Sequence, residues 1–176
     1  MDHHGTPPPP AGQRPNPQER PARHDDRNFV LAGKYWFDPG QSPALDIVEL
    51  ERLRVQRMAE LLDGLQEEPA VSVVPYTVAS LGPGRHAAMK QLRRCVTQTA
   101  GWHLAEHSFC DTDARLLGRR PGLAAACRYT VLGPARGLLV PGRAHLSGDL
   151  GEYEFLVRYL YGYRCFVAYA PQLAAR

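Results

Sequence analysis

The apolar positions fall into two periods. From Val71 to Ser80 the sequence VSVVPYTVAS is a β-branched run of strand length that closes on a tyrosine and a serine, and the turn residues Gly82, Pro83 and Gly84 follow at once. This predicts a buried parallel strand that delivers Ser80 to its carboxyl end, where open α/β sheets gather their ligands. Upstream the period changes. Between Ala44 and Leu65 the residues Val48, Val55, Met58, Leu62 and Leu65 recur at helical spacing, with Ile47, Leu50 and Leu61 widening the stripe. Ser42 followed by Pro43 reads as the start of that helix, with Asp46 and Glu49 in its first turns. Glu51 interrupts one of the positions a heptad seam would keep apolar, so the stripe favours packing on its own domain over pairing with a twin.

Downstream of the serine the pattern alternates. A helix is expected over 85–100, stopped by Gly101, and a strand over 102–110, ending at Asp111. A charged loop leads to Arg120, and Pro121 and Gly122 open a second helix to about Tyr129. A short strand over Gly137–Val140, a loop to Gly148, a third helix capped by Asp149 and a last strand over Cys165–Tyr169 complete the order. Strands alternating with helices predict an α/β fold: a four-stranded, mostly parallel sheet with flanking helices. Pro75 is out of place there, because it removes a ladder donor from a central strand.

Composition divides the chain into three. Seven of the 16 prolines lie in residues 1–27, which hold almost no large apolar side chains; this predicts a disordered tail, with His3, His4 and His24 solvated rather than metal-binding. Residues 28–69 form an extension: a cluster of Phe29, Val30, Leu31, Tyr35, Trp36 and Phe37, then the long helix. Residues 70–176 form the α/β domain. Residues 1–69 carry 8 basic and 12 acidic side chains and residues 70–176 carry 13 and 6, so the parts stand at −4 and +7 and the second admits a polyanion partner such as DNA. The aromatic segment and the helix, through Tyr35, Trp36, Val55, Met58 and Leu62, are candidates for contact with a protein partner or a second copy. The four cysteines form no C-x-x-C pair and read as buried thiols. No membrane-spanning run or secretory leader is seen, a cytoplasmic protein is expected, and no cofactor or metal is called for.

Residues 71–169 resemble the catalytic domain of the resolvase and invertase family of serine recombinases. The resemblance rests on Tyr76-Thr77-Val78-Ala79-Ser80 against Y-x-R-V-S, on Gly101-Trp102, on Asp111, on an intact R-P-G-L as Arg120 to Leu123, and on Arg143 to Asp149 against L-D-R-L-S-R-S. It implies a resolvase-like fold. It also implies that Ser80 stands where the family's nucleophile attacks a DNA phosphodiester, with Arg120 as phosphate clamp and Arg119, Arg143 and His145 as further DNA contacts. Phosphoryl transfer loads charge onto the phosphate oxygens, and guanidinium groups stabilise it as it develops. Val78, Ala144, His145 and Gly148 stand where the family has, in turn, an arginine, an aspartate and two arginines. Losing one such donor costs about 10² to 10³ in rate. The family's long helix and DNA-binding domain would follow the fourth strand, and Arg176 comes seven residues after Tyr169. The expectation is a recombinase-like module without strand exchange, working by protein interaction or regulation. The alternatives are an enzyme that cleaves and rejoins DNA through Ser80, and a non-catalytic DNA-binding protein.

Overall fold

The computed structural model describes residues 45–65, 70–82 and 84–173. The Pro-rich tail, the aromatic segment with Tyr35 and Trp36, the Ser42-Pro43 start and the linker over 66–69 lie outside the described residues. The described chain is α/β, with every strand pairing parallel. β1 (Val71–Val78) is central and buried along its whole length. One edge of β1 pairs first with β2 (Trp102–Leu104) and then with β3 (Phe109–Asp111); its other edge pairs with β4 (Gly137–Val140), and β4 with β5 (Phe166–Tyr169). The order is therefore β2/β3, β1, β4, β5.

The strand expected over 102–110 is two strands, and the break explains Pro75. Backbone groups of a strand face its two neighbours in alternation. Val71 and Ala79 donate to Gly101 and Asp111 on the β2/β3 side, at 2.6 and 2.8 Å, so the nitrogen of Pro75 faces that side too. It falls opposite the gap over 105–108, after Ala105 has donated to Val73 at 2.9 Å and before Phe109 pairs with Tyr76. No ladder bond is due there, so the proline removes none.

Helices cover both faces. α1 (Ile47–Gly64) precedes the sheet, α2 (Arg85–Thr97) joins β1 to β2, α3 (Pro121–Leu132) joins β3 to β4, and α4 (Leu150–Gly162) joins β4 to β5, which runs into the short α5 (Ala170–Leu173). On one face, Val74, Tyr76, Val78, Leu138, Val140 and Val167 pack with Leu123 and Ala126 of α3 and with Tyr153, Leu156 and Leu160 of α4. On the other, Val71, Val73, Leu139, Phe166 and Ala168 pack with Leu92, Cys95 and Val96 of α2. α1 serves both, through Leu50 on the first face and Met58 on the second.

α1 therefore lies across the open edge at β5, and its polar residues fit that position. Arg54, 1 % exposed, donates from Nη1 to the Val167 carbonyl at 3.1 Å, supplying a partner to an edge strand. Its guanidinium lies 4.0 Å from the centre of the Tyr169 ring and pairs with Glu51 at 3.0 Å. Tyr153 and Tyr169 each donate to Glu51 at 3.0 Å. The carboxylate that spoiled a heptad seam is the anchor of α1 on its own sheet. The helix starts at Asp46, which accepts from the Glu49 amide at 2.8 Å while Glu49 reaches back to the Asp46 amide at 3.2 Å, a reciprocal cap. At 18 residues it is about 27 Å long.

Candidate functional site

At the carboxyl edge, β1 leads towards β2 and β3 on one side while β4 leads to β5 on the other. Ligand crevices of open α/β sheets form where strand order reverses in this way. Four pieces of chain meet there: the turn after β1, the end of β3, the N-terminus of α3, and the 3-10 turn Arg143–His145 after β4.

Ser80 leaves β1 exposed, its amide donating to the Thr112 carbonyl at 3.0 Å and the Leu81 amide turning back to Val78 at 3.2 Å. The loop goes on through Gly82 and Gly84, both at positive φ (143° and 88°), which only glycine adopts without strain. Among the described residues no side chain hydrogen-bonds the Ser80 hydroxyl. It is a strand-end serine open to solvent, with neither a base nor a cation joined to it among the described residues.

Arg120 points the other way. It is 2 % exposed, and its guanidinium is consumed inside the fold: Nε and Nη2 donate to the Tyr76 hydroxyl at 3.2 and 2.5 Å, and Nη1 and Nη2 donate to the carbonyls of Leu146 and His145. Tyr76 donates in turn to Asp111 Oδ2 at 2.8 Å, which lies 3.9 Å from Arg120 Nε. Burial raises the Tyr76 pKa, with Arg120 opposing, so the phenol keeps its proton and can donate.

Asp111 has a second task. Its two oxygens accept the amides of Gly122 and Leu123 at 2.8 and 2.9 Å, so the free N–H groups at the start of α3 are capped by a carboxylate brought in from β3. A side chain at 122 would collide with that arrangement: a Cβ there would lie 2.6 Å from the Cys110 carbonyl oxygen and 2.9 Å from Asp111 Oδ1. Each part of R-P-G-L thus has a structural task. Arg120 ties the β4 loop to β1, Pro121 occupies the first helical position, Gly122 allows the close approach, and Leu123 is core.

His145 is equally committed. Its ring is buried, and Nδ1 accepts the Val78 amide at 3.0 Å with Thr77 Oγ1 at 3.2 Å. A backbone N–H can only donate, so Nδ1 carries the lone pair and the ring is neutral. Burial and the Arg120 charge both hold its pKa below the ordinary value, against a smaller opposing contribution from the Leu81 backbone. The ring supplies the pairing that β1 lacks beyond the end of β4. It is a strand cap, not a cation facing solvent.

No family model, curated protein or solved structure matches the chain.

The remaining candidates scatter. Arg119 is exposed at the end of the 3-10 turn before α3. Arg143 is half-buried and donates to the Ser147 carbonyl at 3.3 Å. Of the residues proposed to meet a partner, Met58 is 2 % exposed and belongs to the core, Leu62 is half-buried against that core, and Val55 is open on the outer flank of α1 with Val48. No cluster of metal-ligating side chains and no helix long and apolar enough to cross a membrane occurs among the described residues. Cys95, Cys127 and Cys165 are buried and Cys110 half-buried, all as free thiols. Sequence reasoning missed two buried assemblies: Tyr76–Asp111–Arg120, and Glu51–Arg54–Tyr153–Tyr169. The second had a signal, opposite charges three residues apart on an otherwise apolar stripe.

Proposed function

We propose that the chain is a serine-recombinase-like module that has given up strand exchange and works by binding another protein. The observation that carries this is the commitment of Arg120, the one family-position arginine retained cleanly, to internal carbonyls and a phenol. A guanidinium so used cannot swing out to a phosphate without breaking the tie between the β4 loop and β1. With Val78 and His145 at two other arginine positions, no base or cation among the described residues is hydrogen-bonded to the Ser80 hydroxyl to take its proton or to stabilise charge on a phosphorus centre. The accessible association surface in this reading is the outer flank of α1, where Val48 and Val55 lie two turns apart, 62 % and 38 % exposed.

Supercoiled plasmid incubated with wild-type protein and with Ser80→Ala tests the catalytic half: neither should nick the DNA or form a covalent adduct. A wild-type adduct that Ser80→Ala abolishes would establish the recombinase instead. A photocrosslinking residue at Val55 tests the other half. A discrete protein adduct, competed by excess wild type but not by Val48→Arg, supports association through α1, and its absence in cells removes that surface. Retardation of duplex DNA that weakens steeply with salt would favour the DNA-binding alternative.

A further inference from the structure

α2 (Arg85–Thr97) carries a charge pattern that the fold does not answer. Ala88, Leu92, Cys95 and Val96 are buried against the sheet. On the other side His86, Lys90, Arg93 and Arg94 are exposed, three and four residues apart and so neighbours along one stripe; Arg85 is exposed at its start. Like charges at those spacings repel, and the first turn has no acidic residue, where the helix dipole would favour one. α2 therefore forms on the strength of its apolar side and in spite of its outer one. The side chains of Arg85, Lys90, Arg93 and Arg94 take part in no ion pair among the described residues.

The surroundings do not supply the missing charge. Residues 69–105 contain no aspartate or glutamate, so β1 and β2 beneath α2 offer none, and neither does α5, which packs beside it. The end of α1 joins the same core, but its Glu60 is held by Gln56, Arg57 and Tyr161, and Asp63 is the other acid of its last two turns. The partner that fits this face is therefore anionic. The stripe is one helix wide and about 20 Å long. α2 lies flat on the sheet with α5 alongside, so it does not stand out to enter a duplex groove. Its sequence has no phenylalanine, tyrosine or tryptophan on which the bases of a single strand would stack. An extended peptide of about six residues spans the stripe, and carboxylates or phosphates along it would meet a cation at each turn.

We propose that the exposed face of α2 binds an acidic, extended segment of the partner protein. This rests on the protein-binding reading of the preceding section and gives it a second surface, separate from the flank of α1.

Fluorescence anisotropy of a labelled polyglutamate peptide of about eight residues, long enough to span α2, tests this with the full chain at low salt. Wild type should bind it and not the polyglutamine counterpart, and the complex should weaken as salt rises. Lys90→Gln, Arg93→Gln and Arg94→Gln together should weaken binding about tenfold or more, each surface contact being modest. The same charge removed elsewhere, as Arg115→Gln, Arg158→Gln and Arg164→Gln, should change it less than about twofold. The α2 variant should melt at or above the wild-type temperature, because the substitutions relieve repulsion. If it melts lower, the three single substitutions replace it, and each should weaken binding by itself. Absence of binding overturns the proposal, as does an equal loss from both triple variants, which would mark net charge alone. Duplex or single-stranded DNA bound more tightly than the peptide, and released by the α2 substitutions, assigns the face to nucleic acid and also overturns it. The peptide reads α2 and the photocrosslink at Val55 reads α1, so this proposal and association through α1 fail separately.

Discussion

Arg120 and His145 are the residues at which the sequence misleads. The run Gly118-Arg119-Arg120-Pro121 reads as a solvated basic turn, and only the tertiary meeting of Tyr76 with the carbonyls of His145 and Leu146 turns one arginine inward while its neighbour stays out. Replacing Arg120 by alanine should therefore cost about 3–5 kcal/mol of stability, because it orphans buried acceptors and leaves Asp111 without its cation; a solvent-facing phosphate clamp would cost about 0.5 kcal/mol or less. Urea unfolding followed by circular dichroism distinguishes the two. His145 adds a pH dependence of known sign. Its folded pKa is depressed below 6.5, so the unfolded chain takes up the proton first as the solution is acidified. The stabilisation is complete above that value and is lost as pH falls below it towards the folded pKa, with a slope of at most about 1.4 kcal/mol per pH unit. His145→Gln, which keeps an acceptor for the Val78 amide, should flatten the slope in that window, and a profile unchanged by the substitution would mean that His145 is not the group responsible.

Most elements were legible in the hydrophobic pattern, and those that were not have local reasons. β1 (Val71–Val78), the starts of α3 and α4 at Pro121 and Asp149, and the strand at Gly137–Val140 lie where period and punctuation put them. The start of α1 is set by Asp46, whose reciprocal bond with Glu49 is visible in the sequence once Ser42 is not preferred. The split of one expected strand into β2 and β3 could not be read from residues 102–110 alone, because its cause is a proline about thirty residues earlier in the neighbouring strand. The join between β3 and α3 gives a sharp prediction. Gly122→Ala sets a Cβ against backbone at Cys110 and against the capping oxygen of Asp111, and neither can yield without loosening the amides of Gly122 and Leu123. A loss of about 2–4 kcal/mol is expected, far beyond any gain from alanine's helix propensity. A thermal melt equal to or above that of wild type would show that α3 does not sit as closely on β3 as described.

At the scale of the whole molecule the question is where the folding unit begins. Composition suggested a boundary near residue 70, with α1 as an appendage, yet α1 contributes Leu50 to the core on one face of the sheet and Met58 to the core on the other. It also closes the β5 edge through Arg54 and Val167. An amphipathic pattern cannot tell a helix laid on its own sheet from one awaiting a partner; Glu51 and Arg54, reaching Tyr153 and Tyr169, make that distinction in space. A chain beginning at residue 70 would open both cores and bare the edge of β5, a ready template for pairing with other chains. It is expected to bind a hydrophobic dye, lose its cooperative melt and aggregate, while a chain beginning at residue 45 keeps the wild-type core and unfolds in one transition. Within the full chain, Glu51→Ala should reproduce part of that loss, about 2 kcal/mol, since it removes the acceptor that Arg54 and the Tyr153 and Tyr169 hydroxyls share. A soluble, cooperatively folding 70–176 fragment would return α1 to the status of an appendage and free its inner face, Met58 included, for a partner.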